Sequence, residues 1–147
     1  MSWDMKAVNM RLKKAALDKL KGALEEVCEE VIMATPLGNP TLWNNPKPRK
    51  RPYVPGDLRA GWKSSLNEPD YSVTGKNKGR RWKRALLENK QVIAHINLRT
   101  KSFCMVNALP YARKIEYMGH SSKQAPQGML RLNTTSQKWR SAMSRRM

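Results

Sequence analysis

The sequence predicts an α+β domain: a long N-terminal helix packed on a small, mostly antiparallel sheet, with short helices and an extended proline-rich arm. Three observations predict it. Residues 4–34 hold no proline and place Met5, Val8, Leu12, Ala16, Leu20, Leu24, Val27 and Val31 three or four apart, the spacing of one helix face. Residues 102–106 set Phe103 and Met105 on one side and Cys104 and Val106 on the other, with no polar side to interrupt a covered strand. Pro36, Pro40, Pro46, Pro48, Pro52 and Pro55 each fix φ and remove an amide donor, so an arm of about residues 36–56 interrupts regular structure. The 147 residues suit a single domain with a core of its own.

At about 1.5 Å per residue the first helix runs roughly 45 Å, more than a domain of this size covers along its whole apolar stripe. Part of it is therefore expected to meet another chain, the plainer alternative being a core helix that frays at its lysine-rich start. Ser2 or Asp4 can cap its first amides, and Pro36 with Gly38 ends it. Glu25, Glu26, Glu29 and Glu30 read as its solvated face, able to pair with lysines at helical spacing. The arm exceeds the usual loop length. Its Trp43 and Tyr53 carry large apolar faces that favour docking.

After the arm, residues 56–62 read as a short helical turn in which Asp57 accepts backbone amides, followed by a strand near 62–66. Residues 74–81 are polar, glycine-containing and basic, hence an exposed loop, and 82–89 suit a helix. Residues 91–99 are ambiguous. Val92, Ala94, Ile96 and Leu98 alternate like a strand, which is favoured, yet Leu87, Ala94 and Leu98 also fit a helix continuing from Arg84. Asn107 ends the later strand, Pro110 suits the first position of a helix reaching about Met118, and Gly119 supplies a left-handed stop. A final segment over 130–143 is expected to be partly helical.

The formal charge is +18, from 29 basic and 11 acidic residues. Self-repulsion on that scale calls for a polyanionic or acidic neighbour. The excess is in the C-terminal half, where Glu116 is the one acidic residue after Glu88. Arg49, Lys50 and Arg51 in the arm, and Lys76, Lys78, Arg80 and Arg81 in the basic loop, are candidate contacts for a polyanion or an acidic partner. Neighbouring Trp82 could stack on single-stranded bases; the plainer reading is loops kept soluble by charge.

Catalytic chemistry finds little support in the sequence. His95 and His120 lack ligands at zinc spacing, and Cys28 and Cys104 have no cysteine two or three residues away. Both cysteines lie in apolar runs that suit buried free thiols and a reducing compartment. Gly75-Lys76-Asn77-Lys78-Gly79 lacks the Gly-Lys-Ser/Thr ending of a nucleotide-binding loop. The expectation is a protein without cofactor or metal and without enzymatic activity. The opening Met1-Ser2-Trp3-Asp4 lacks the apolar core of a signal peptide, and no apolar run approaches a bilayer span, so a soluble product of a cytoplasm with no membrane partner is expected.

Three blocks carry a resemblance. The first is Ala34-Thr35-Pro36, leading to Gly56-Asp57-Leu58-Arg59-Ala60-Gly61-Trp62. The second is Asn107-Ala108-Leu109-Pro110-Tyr111-Ala112 with Ile115-Glu116-Tyr117, and the third runs from Ser122 through Gln124-Ala125-Pro126-Gln127-Gly128-Met129-Leu130. Together they resemble the neck or tail-completion proteins of long-tailed double-stranded DNA bacteriophages, including the minor tail protein Z-like members. Two departures stand out. The proline-rich insertion replaces a tight turn, and Met118 separates Tyr117 from the following glycine.

The resemblance implies an α+β subunit without catalytic activity, forming a homo-oligomeric ring between the capsid portal and the tail. Its expected place is the virion head-to-tail junction, with other connector and tail proteins as partners and non-specific contact with DNA in the channel. Trp43, Tyr53, Tyr111, Glu116, Tyr117, Gly128 and Met129 are the candidate assembly interface. A basic nucleic-acid-binding module is the alternative function.

Overall fold

The computed structural model describes residues 4–38, 55–73, 82–119 and 123–146. Helix α1 occupies Met5–Ala34, and the Asp4 carboxylate caps it by accepting the amides of Lys6 and Ala7 at 3.0 and 3.2 Å. The Thr35 hydroxyl donates to the Val31 carbonyl at its other end, before Pro36 stops the ladder. Then follow α2 (Asp57–Ala60), β1 (Trp62–Leu66), α3 (Trp82–Ala94), β2 (Phe103–Asn107), α4 (Ala112–Tyr117) and α5 (Ser136–Ser144). The architecture is α+β, as the sequence predicts. Among the described residues the sheet has two antiparallel strands, with Trp62 opposite Asn107 and Leu66 opposite Phe103.

Helices α3 and α5 pack on α1, and α3 also supports β1 and α2. Three apolar clusters result. One joins Val31 and Ile32 of α1 to Leu58, Trp62, Ala112 and Met129; one joins Leu24 and Cys28 to Ile93 and Ile96; the last seats Ala142 on Ala23 and Val27. Every buried residue of α1 lies in its second half, between Ala23 and Ile32. The helix is longer than its core, as its length implied.

Three acidic residues of α1 find partners across the fold, not along the helix. Glu26 meets Arg145 and Arg146, Glu30 meets Lys138 at 2.8 Å, and Glu29 faces Lys90 of α3 at 3.9 Å. Such pairs contribute little energy each.

Several expectations need correction. Residues 91–99 are not a strand: α3 runs on to Ala94, and the His95 and Ile96 amides close a turn on the Val92 and Ile93 carbonyls. Helical spacing prevails because Ala85, Asn89 and Ile93 form the buried face, while Ala94 and Leu98 of the alternating set are exposed. Asp57 is not a cap but the first residue of α2; Gly56 holds the cap position with φ 104°. Pro110 sits in the turn ahead of α4, whose cap residue is Tyr111. Gly119 has φ 63°, the left-handed stop expected of it. The final segment is partly helical, as expected: α5 begins at Ser136, where Thr135 accepts the Lys138 amide.

The base of the arm is pinned, because the Gly56 amide donates to the Leu37 carbonyl at 2.7 Å. The arm itself, with Trp43, Arg49, Lys50, Arg51 and Tyr53, lies outside the described residues, as do Lys76, Lys78, Arg80 and Arg81.

Candidate functional site

The three sequence blocks meet around the C-terminal end of α1. A helix end leaves carbonyls without intrahelical partners, and here Arg59 takes them. Its Nε donates to the Thr35 carbonyl at 2.9 Å and its Nη2 to that of Met33 at 2.8 Å, while the guanidinium lies 4.7 Å from the centre of the Trp82 ring. Burial lowers the Arg59 pKa, but a guanidinium keeps its proton throughout the working range. Beside it the Trp62 indole donates to the Thr35 hydroxyl at 2.8 Å. Thr35 is fully buried, so this pairing satisfies two groups that would otherwise be costly to desolvate.

Asn107 links the second block to the first. Its Nδ2 donates to the Leu58 carbonyl at 2.7 Å, and its Oδ1 accepts the Leu109 amide at 3.3 Å, turning the chain toward α4. A side chain on Gly61 would meet Leu109 and Asn107 atoms at 2.7–2.8 Å, so the approach of the two blocks depends on that glycine.

The third block closes on the second through Glu116. Its Oε2 accepts the amides of Met129 and Leu130 at 2.6 and 2.9 Å, and its Oε1 accepts the Arg131 amide at 2.9 Å and Arg131 Nε at 3.2 Å. Burial alone would raise the pKa of this carboxyl. The Leu130, Arg131 and Met129 amides and the Arg131 guanidinium outweigh that and hold it below the ordinary glutamate value. Gly128 adopts φ +88°, and a Cβ there would stand 2.8 Å from Glu116 Oε2, so glycine is needed for conformation and for space.

This geometry divides the candidate interface residues. Glu116, Gly128 and Met129 are buried within the chain's own fold, where they lock the loop before α5 to α4; as surface contacts they are corrected to internal ones. Tyr111 and Tyr117 are exposed at the surface, and the Arg131 guanidinium stacks 4.8 Å from the Tyr117 ring centre, next to exposed Met118 and Leu132. An Arg–Tyr stack beside apolar side chains has the composition of a protein-binding hot spot. The roles of Arg59 and Arg131 were not foreseen: a sequence shows an arginine but not which carbonyl or carboxylate lies opposite it.

A solvent-open cavity of about 380 Å³ lies between β1 and α3, lined by Lys63, Ser64, Asp70, Glu88, Asn89 and His95 among others. The polar groups named have partners within the chain. Ser64 Oγ donates to the Asn89 amide oxygen, which is no base; Asp70 accepts from Ser72; Glu88 pairs with Arg84; and the His95 Nδ1 lies 2.7 Å from the Gln91 carbonyl. That gives no nucleophile–base pair of the kind acyl or phosphoryl transfer needs. Among the described residues no three His, Cys, Asp or Glu side chains are grouped to hold a metal ion, and no helix is long and apolar enough to cross a membrane. Compared with family models, curated proteins and solved structures, the chain matches none.

Proposed function

We propose that this protein is a non-catalytic structural subunit of a phage head-to-tail junction, assembling as a homo-oligomeric ring through which DNA passes and engaging other connector and tail proteins. One observation carries the reading. The blocks that resemble neck and tail-completion proteins are far apart in the chain, yet they meet in a continuous network through Thr35, Arg59, Trp62, Asn107 and Glu116. The network also leaves Tyr111 and Tyr117 at the surface, on a rigid support.

In a ring each subunit presents two different faces to its neighbours. Apolar and aromatic contacts close such a ring, while the net charge of +18 suits DNA in the channel or acidic partner surfaces. The test is direct: peptide mass spectrometry of finished particles, and electron microscopy of particles made without this chain. Filled heads and free tails that fail to join are expected. Normal joined particles lacking the protein, or substrate turnover by the purified chain, would overturn the reading.

The same charge favours a second reading, a free-standing nucleic-acid-binding module. That module would bind duplex DNA as a monomer, with affinity falling about 10³-fold or more between 50 and 200 mM salt. Sedimentation and binding titrations on one preparation separate the two.

A further inference from the structure

We infer that the exposed first half of α1 is a docking helix for an acidic, amphipathic helix of another protein. This does not rest on the junction reading and holds whatever assembly the protein joins. Over residues 5–16 every side chain is exposed except half-buried Val8. That stretch projects about 18 Å at ~1.5 Å per residue. Met5 and Leu12 are 68% and 66% exposed, and with Val8 and Ala16 they form a narrow stripe edged by Ala15, with exposed Met10 on the far side of the helix. Leu17 begins the part that packs on the chain's own core. Among the described residues no apolar cluster reaches this overhang, so its stripe lies open to solvent.

Charge decides what covers it. Lys6 and Lys13 border the stripe on one side and Arg11 on the other, against Asp4, already capping the helix, and Asp18 beside Arg11. A second copy would set this basic surface against itself. It could offer little of the acidic half of α1, because Glu26, Glu29 and Glu30 are engaged by Arg145, Arg146, Lys90 and Lys138 of their own chain. DNA would satisfy the lysines but leave Met5, Val8 and Leu12 in water, and a stripe this narrow suits a single helix seam, not a bilayer surface. A helix with an apolar seam edged by glutamate or aspartate meets both demands.

The probe is a labelled three-heptad peptide with leucine at the a and d positions and glutamate at e and g, titrated against the full chain by fluorescence anisotropy. Binding is expected, weakening at least tenfold in Leu12→Asp and in the double variant Lys6→Glu/Lys13→Glu. Both changes fall on exposed side chains, and unchanged thermal melts confirm that the fold is intact. Four results would overturn the inference: no binding; equal binding of a scrambled peptide of the same composition; tighter binding to a 20-base-pair duplex or to phosphatidylserine vesicles that Leu12→Asp abolishes; or a dimer in sedimentation that Leu12→Asp dissolves.

Discussion

The Trp62 indole nitrogen donates to the Thr35 hydroxyl at 2.8 Å, and that hydroxyl donates to the Val31 carbonyl, so a helix end, a turn and the first strand share one buried chain of hydrogen bonds. Removing either partner strands the other in an apolar cluster. Trp62→Phe and Thr35→Val are each expected to cost about 2–3 kcal/mol, from a lost buried hydrogen bond and altered packing. Because they break one shared bond, the double variant should cost about 1 kcal/mol less than the sum. Urea denaturation of the four proteins measures this, and strict additivity would show that the bond contributes nothing.

Glu116 is predicted to make stability acid-sensitive. Its folded pKa lies below its unfolded value, so its contribution is complete above the unfolded value and is lost as pH falls through the folded one. Glu116→Gln keeps the shape but turns an NH2 toward amide donors and removes the charge. A loss of about 2–3 kcal/mol at pH 7 is expected, a few degrees for each kcal/mol in melting temperature. The difference between the two proteins should shrink as pH drops below 4. A constant gap from pH 7 to 3 would mean the carboxylate's charge is not what holds the loop.

Gly128 and Gly119 offer an internal comparison. Both have positive φ, +88° and +63°, but a Cβ at 128 meets Glu116 atoms at 2.8–2.9 Å while a Cβ at 119 meets nothing within 4 Å. Gly119→Ala should cost only the left-handed backbone penalty, about 1 kcal/mol. Gly128→Ala adds displacement of the buried carboxylate and should cost about 3 kcal/mol or more. Equal costs would mean that the loop yields without disturbing Glu116.

The frame of the fold was legible wherever one local rule sufficed. Proline-free spacing and the Asp4 cap gave α1, unbroken apolarity gave β2 to within a residue, and Gly119 marked the end of α4. Residues 91–99 misled because short apolar runs fit two periods, and the choice is made by Ser64 and Leu24, which lie far off in sequence and receive Asn89 and Ile93. Glu116 shows the same limit in the site: the motif around it was visible, but its three amide partners arrive from a loop 13 to 15 residues away. A buried carboxylate and a surface one look identical in a sequence.

The two cysteines should respond differently to alkylation. Burial pushes the Cys28 thiol up to about 11, despite a hydrogen bond to Asn89 that pulls the other way, and the side chain packs between α1 and α3. At pH 8 roughly one thiol in a thousand is then ionised, and only the thiolate attacks iodoacetamide. Cys104 is half-buried on β2 and therefore within reach of reagent. Mass spectrometry of the native protein should find Cys104 modified first and Cys28 protected by at least ~100-fold, the protection vanishing in urea. Comparable rates for the two would show that α1 and α3 separate readily, which their shared cluster of Leu24, Cys28, Ile93 and Ile96 opposes.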